Sequence, residues 1–278
     1  MRLWPITLLL FLPRYAAAEP AHRIDLDRGK GPEAIELGVE KLEDVERYDL
    51  QLDQTRTFRG IRLSRLLERY PGPKDAELVV LSFANGMRIP VPLTALPKID
   101  PLIAIASRRG NDAFDDSFPD VPKKKAAIPD PRPIHFDGNK VVVATATHPR
   151  LPEGAEFTPW AYVDALRAVS FATVADDELR IAGKVNGEPS LDRGREVFLA
   201  RCQWCHGVGG RGAHYGWDFV KPVPLHTWRT SKSLLGHVRY KNIDAVERGY
   251  MMPPQKDIQE ADVDDLWKWM RSVGAAAE

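Results

Sequence analysis

Residues 201–207 read Arg201-Cys202-Gln203-Trp204-Cys205-His206-Gly207 and hold both cysteines of a 278-residue chain. Two cysteines three positions apart, followed at once by a histidine, admit three readings. A redox dithiol expects a strand before the pair in a βαβ setting, but the preceding LDRGREVFLAR carries its apolar residues at helical spacing. A zinc site needs two further Cys or His ligands at metal spacing; no cysteine remains, and His214 and His226 form no matching pair. The third reading is C-x-x-C-H, the attachment signal for c-type haem. The chemistry explains the spacing. Two thiols add to two vinyl groups on one side of a porphyrin, and the histidine after the second falls under the iron. Cys202 and Cys205 are therefore the expected covalent attachment points, and His206 the expected axial ligand, of one haem c per chain.

A distal ligand is expected downstream, in ERGYMMPPQKD. A thioether is a soft ligand that suits iron and raises its potential relative to a second imidazole. The prolines restrict the loop that would hold the sulfur. Met252 directly precedes them and is chosen over Met251. His214, His226 and His237 are the competing candidates, with His237 first among them. A helical frame surrounds these residues. Ser190 or Asp192 can cap a first helix, along which Gly194, Val197, Phe198 and Arg201 follow at helical spacing. Residues 259–274 form an amphipathic pattern with early acids, late bases and a terminal Gly274. Val263, Leu266, Trp269, Met270 and Val273 make its apolar face.

With these parts in order, residues from about 190 to 274 resemble the monohaem class I cytochrome c domain. The resemblance implies an all-α domain whose first and last helices cross, with Gly194 letting Trp269 approach Phe198. It implies that Lys221-Pro222-Val223-Pro224-Leu225 lines the haem. It implies also that Arg239-Tyr240-Lys241 and Ala245-Val246-Glu247-Arg248-Gly249 lead to the methionine loop. Trp204 is expected to pack on the haem rather than to take part in chemistry.

The preceding two thirds read as α+β. Residues 77–83 are a β-rich run, and Asn85-Gly86 signals a two-residue hairpin turn into a strand over 87–91. Residues 140–146 form an apolar strand, and 162–174 a strand with or without a short helix. Residues 63–70 form an amphipathic helix that stops before Pro71-Gly72-Pro73. Residues 112–133 are a polar, proline-rich surface excursion, and 184–189 (KVNGEP) a linker. Three phrases resemble the molybdopterin-binding domain of sulfite oxidase-like oxidoreductases: Thr57-Phe58-Arg59-Gly60-Ile61-Arg62-Leu63-Ser64; Phe83-Ala84-Asn85-Gly86 with Ile89-Pro90-Val91-Pro92-Leu93; and Thr158-Pro159-Trp160-Ala161-Tyr162-Val163. That family holds molybdenum through a cysteine thiolate in this domain. Here both cysteines are committed to haem, and neither His135 nor His148 replaces thiolate chemistry. The expectation is a retained fold without molybdopterin.

Lys+Arg and Asp+Glu balance at 39 each, which gives no electrostatic case for a nucleic-acid partner. The N-terminus MRLWPITLLLFLPRYAAAEP has a basic start, a short apolar stretch and a small-residue site, the pattern of a leader cleaved near Ala18. Its apolar run is roughly half of what a helix needs to span a bilayer, and no other segment qualifies. The expected organisation is a signal peptide (1–18), a sulfite oxidase-like domain (19–185) and a cytochrome c domain (190–278). The mature chain is expected to be periplasmic or otherwise exported, without a transmembrane segment. The expected function is one-electron transfer with no catalytic residue of its own, since filled axial positions leave no substrate site. A redox partner, either a dehydrogenase or a respiratory complex, would dock on it. A sulfite dehydrogenase-like haem enzyme and a haem-based ligand sensor are the alternatives. Arg108-Arg109 and Lys123-Lys124-Lys125 read as solvated loop charge.

Overall fold

A computed structural model describes residues 22–39, 41–115, 118, 138–145, 147–151, 158–184, 187–239, 252 and 254–275. The leader, most of the proline-rich stretch, His135, Ala146, residues 240–250 and Met251 lie outside the described residues.

The N-terminal region is rich in β-sheet. Its strands are β1 (Arg23–Asp27), β2 (Pro32–Glu36), β3 (Glu43–Asp49), β4 (Gln54–Arg62), β5 (Leu78–Phe83), β6 (Arg88–Pro92), β7 (Leu102–Arg108), β8 (Lys140–Val142) and β9 (Leu166–Ala172). Helices α1 (Leu63–Arg69), α2 (Leu96–Ile99) and α3 (Val174–Ala182) punctuate them. One sheet has the order β2-β1-β9-β5-β6 and the other β3-β4-β7-β8. β1 alternates, burying Ile24 and Leu26. β5 (LVVLSF) lies between β6 and β9 with nearly every residue buried, which is why it reads as one continuous apolar run.

The β5–β6 connection departs from the two-residue turn expected from Asn85-Gly86. The Phe83 N–H bonds the Met87 carbonyl and the Gly86 N–H bonds the Phe83 carbonyl. The reversal therefore spans Ala84, Asn85 and Gly86. Only Gly86 takes a positive φ, of 86°. A two-residue type I′ turn needs two such residues, whereas a three-residue loop needs one glycine in that region.

The C-terminal part is built on α4 (Pro189–Arg201), α5 (Ser231–Arg239) and α6 (Glu260–Ala275), with a small ladder of β10 (Gly207–Val208) and β11 (Arg211–Gly212). The cap of α4 is Glu188 rather than Ser190 or Asp192. Its carboxylate accepts the N–H groups of Ser190 (3.2 Å) and Leu191 (3.0 Å). Pro189 takes the first helical position, where its missing N–H costs nothing. Gly274 does not end α6. It lies inside the helix, where a Cβ would stand 2.5 Å from Cε1 of His226. α4 and α6 cross at Gly194, and the rings of Phe198 and Trp269 stack with centroids 5.0 Å apart, as the crossing expected from Gly194, Phe198 and Trp269 requires.

Two apolar cores result. The first fills the N-terminal sheets; the second lies among α4, α5 and α6 and includes Cys202, Phe198, Trp269 and Met270. Helix α3, which lies almost wholly beyond the 162–174 stretch where a short helix was allowed, ties the two regions. Ile181 and Ala182 of α3 enter the second core. Asp177 receives the guanidinium of Arg88 from β6 in a buried ion pair. Its neighbour Glu178 pairs with Arg150 at 3.0 Å and with Arg195 of α4 at 3.4 Å. Removing one partner of such a buried pair strands a charge, at a cost of about 3–5 kcal/mol.

Candidate functional site

Helix α4 ends at Arg201, and the chain turns tightly through the cysteines. The N–H groups of Cys205 and His206 both bond the carbonyl of Cys202, at 3.2 and 2.9 Å. This turn brings Cys202, Cys205 and His206 together. Both cysteines are buried and neither is in a disulfide; burial pushes the Cys202 thiol up to about 12 and keeps it protonated.

His206 is oriented by backbone. Its Nδ1–H donates to the carbonyl of Trp217 at 2.7 Å, which leaves the Nε2 lone pair available to a metal. Burial lowers the pKa of the ring and keeps it neutral, as a ligand must be. Gly216 lies flat against the imidazole, where a Cβ would come within 2.5 Å of Cε1. The Trp217 carbonyl is itself held in place by its neighbour Asp218. This carboxylate accepts the N–H groups of Gly209 (2.8 Å), Gly210 (2.7 Å), Val220 (2.7 Å) and Lys221 (2.8 Å). Burial opposes its charge, but the four donors outweigh that and hold its pKa below the ordinary value. The sequence reading missed Asp218; an aspartate flanked by turn-forming glycines and a proline was the available signal.

Met252 packs against the second core, the same core that contains Cys202. Its loop is tied to the attachment motif. Arg201 bonds Asp257 at 2.7 Å and Gln255 at 3.3 Å, and the Gln255 amide returns a bond to the Arg201 carbonyl at 3.4 Å. Arg201, adjacent to Cys202, thus holds the segment that follows Met252. Of the competing histidines, His226 sits under Gly274 and His214 joins the β5–β6 turn through its backbone. His237 lies on α5, and burial, helped by the nearby Arg229 charge, brings its pKa to about 4.

Trp217, Val223 and Trp228 are three of the few large apolar side chains exposed among the described residues, and the indoles of Trp217 and Trp228 lie 5.9 Å apart. Two free thiols, a neutral oriented imidazole and a thioether are together the donor set that c-type haem requires. The residues fit the group.

Trp204 does not take the place expected of it. Its side chain is fully buried in the first core, on the sheet side of the motif. The imidazole of His148 meets it edge-on at 4.3 Å. The motif is split: Cys202 belongs to the second core, Trp204 and Cys205 to the first.

Over residues 191–274 the chain matches the family model described as Cytochrome c. No curated protein matches the chain. The chain is thus multidomain, with a cytochrome c domain behind a region rich in β-sheet. Such a domain implies a haem cofactor, haem-based electron transfer and redox partners. Among the described residues no helix is long and apolar enough to cross a membrane.

Proposed function

We propose that the chain is an exported one-electron carrier. One haem c is attached through Cys202 and Cys205 and ligated by His206 and Met252, and the N-terminal region docks a redox partner. The orientation of His206 carries this reading: its Nδ1–H is committed to the Trp217 carbonyl, so the ring that directly follows Cys205 presents Nε2 in a fixed direction. When bound, the haem supplies an iron that takes up one electron and gives up one electron between its ferric and ferrous states. The residues of the chain attach it, orient it and exclude water. His206 and Met252 would both be taken up in holding the iron, which would leave no position for a substrate and favours carriage over catalysis. Met252 in place of a second imidazole sets a higher potential.

For the N-terminal region we propose a sulfite oxidase-like fold (19–185) that has lost its metal. Two observations support it. The TFRGIRLS phrase runs from β4 directly into α1, and the FANG phrase forms the β5–β6 turn. His148 is not placed to substitute for the missing thiolate, because Nε2–H donates to the Pro90 carbonyl (3.1 Å) and Nδ1 accepts the Arg150 N–H (3.2 Å).

The test is expression with haem-attachment machinery in an exporting host that also makes molybdopterin. The expected product begins at Glu19, has the mass of the polypeptide plus one haem, and contains one iron and no molybdenum. A product without covalent haem would refute the carrier, and stoichiometric molybdenum would replace it with an enzyme.

A further inference from the structure

The haem-attachment turn is gripped from outside its own domain. The Arg88 N–H of β6 donates to the Trp204 carbonyl at 3.0 Å, and the His214 N–H donates to the Gly86 carbonyl at 2.8 Å. These two bonds bracket the segment that carries Cys205 and His206. The same segment is closed on itself by a bond from the Gly216 N–H to the Cys205 carbonyl at 2.7 Å. The β5–β6 turn approaches so closely that a Cβ on Gly86 would stand 3.1 Å from the His214 carbonyl carbon and 3.2 Å from the Tyr215 nitrogen. Tyr215 packs against the first core. Beside these backbone bonds the Trp204 indole is sunk among the core side chains of the sheets. Its own N–H has no hydrogen-bond partner among the described residues, so the anchorage is apolar packing.

We propose, resting on the haem assignment above, that the N-terminal region is part of the haem site. The β5–β6 turn and the Trp204 anchor fix the attachment segment and through it the position of His206, with Trp204 and Gly86 acting as positioning residues. A docking platform alone would need none of this. It would leave the motif's middle residues in its own domain and meet the cytochrome domain at a surface away from the ligands. A helical domain of this size must set its axial imidazole within a narrow range, and a ligand loop loosened by a lost neighbour binds less firmly.

The experiment compares wild type, Trp204→Leu, Trp204→Phe and Gly86→Ala, each as the full chain. Hydrogen exchange reads the grip without the haem. The Arg88 and His214 amides are expected to exchange faster together in Trp204→Leu, while amides at the α4–α6 crossing stay protected. Three readouts follow on haem-loaded protein: the midpoint potential, the red methionine-to-iron charge-transfer band, and affinity of the ferric form for added imidazole. Trp204→Leu is expected to shift the potential, weaken the band and bind imidazole about tenfold more tightly, equivalent to about 1.4 kcal/mol. Trp204→Phe should restore most of this, and Gly86→Ala should reproduce it if Trp204→Leu fails to accumulate. Unchanged exchange at Arg88 and His214, or faster exchange with all three haem readouts at wild-type values, overturns the proposal. Absence of covalent haem from wild type would instead refute the carrier reading, with the exchange result still deciding whether the grip exists.

Discussion

Gly194 of α4 lies so close to Asp265 of α6 that a Cβ on it would stand 2.1 Å from the Asp265 carbonyl oxygen. Glycine is a poor helix residue, about 1 kcal/mol worse than alanine, and its retention in mid-helix reflects this contact. Gly194→Ala gains helix propensity but forces backbone from backbone, separating Phe198 from Trp269. The expected net loss is about 3 kcal/mol, measured by urea unfolding of the haem-loaded protein. An alanine variant as stable as wild type would mean that the crossing tolerates a wider gap.

Met252→Ala is expected to open the iron to exogenous ligands and to lower the potential; Met251→Ala should do neither. Carbon monoxide binding to the reduced variants and a potentiometric titration distinguish them. The reversed outcome would move the assignment to Met251.

Arg201 couples the attachment motif to the methionine loop through Asp257 and Gln255. Arg201→Leu keeps the stem packing but removes the charge-assisted bonds, worth about 1.5–3 kcal/mol. The methionine-to-iron band should weaken on warming at a lower temperature than in wild type, while covalent haem content is retained. An unchanged thermal profile of the band would show that the loop is held elsewhere.

His148 makes stability depend on pH. Burial drives its pKa from 6.5 to about 3, so the unfolded chain takes up a proton that the folded chain refuses. Stability is then complete above about pH 6.5 and falls as pH drops from there toward 3, with a slope approaching about 1.4 kcal/mol per pH unit. His237, brought to about 4, acts in the same direction. Unfolding measured at pH 7.5, 6 and 5 should show the decline. It should be shallower in His148→Gln, whose side-chain amide can still donate to the Pro90 carbonyl.

The two halves of the chain were unequally legible. Cys202, Cys205 and His206 are contiguous, and Gly194, Phe198 and Trp269 sit on helices whose apolar periodicity announces them. In the N-terminal region β5, β6, β8, β9 and α1 announce themselves, because their signals are local, whereas β1 to β4 and β7 do not. The parallel pairing of Asp25, Leu26 and Asp27 with Ala168, Val169 and Ser170 depends on partners far apart in the chain, and no pattern within either strand encodes it. Trp204 was misread for the same reason. Its neighbours in sequence are the expected attachment cysteines, and its neighbour in space, His148, comes from another region. No local pattern marks Asp177 and Glu178, whose role depends on Arg88, Arg150, Arg180 and Arg195 reaching them.

The burial of Trp204 also orders events in time. A chain emerging from a ribosome or crossing a membrane presents β1 to β9 first, yet the core those strands form is completed by an indole that follows more than thirty residues after β9. The sheets cannot reach their final packing until the attachment motif has arrived. A motif already drawn into its turn by that packing offers its thiols in a different setting from an extended one. Haem attachment at Cys202 and Cys205, as proposed, and closure of the first core would thus act on the same segment. The order in which they finish is open to measurement by pulse-labelling the cysteines during refolding.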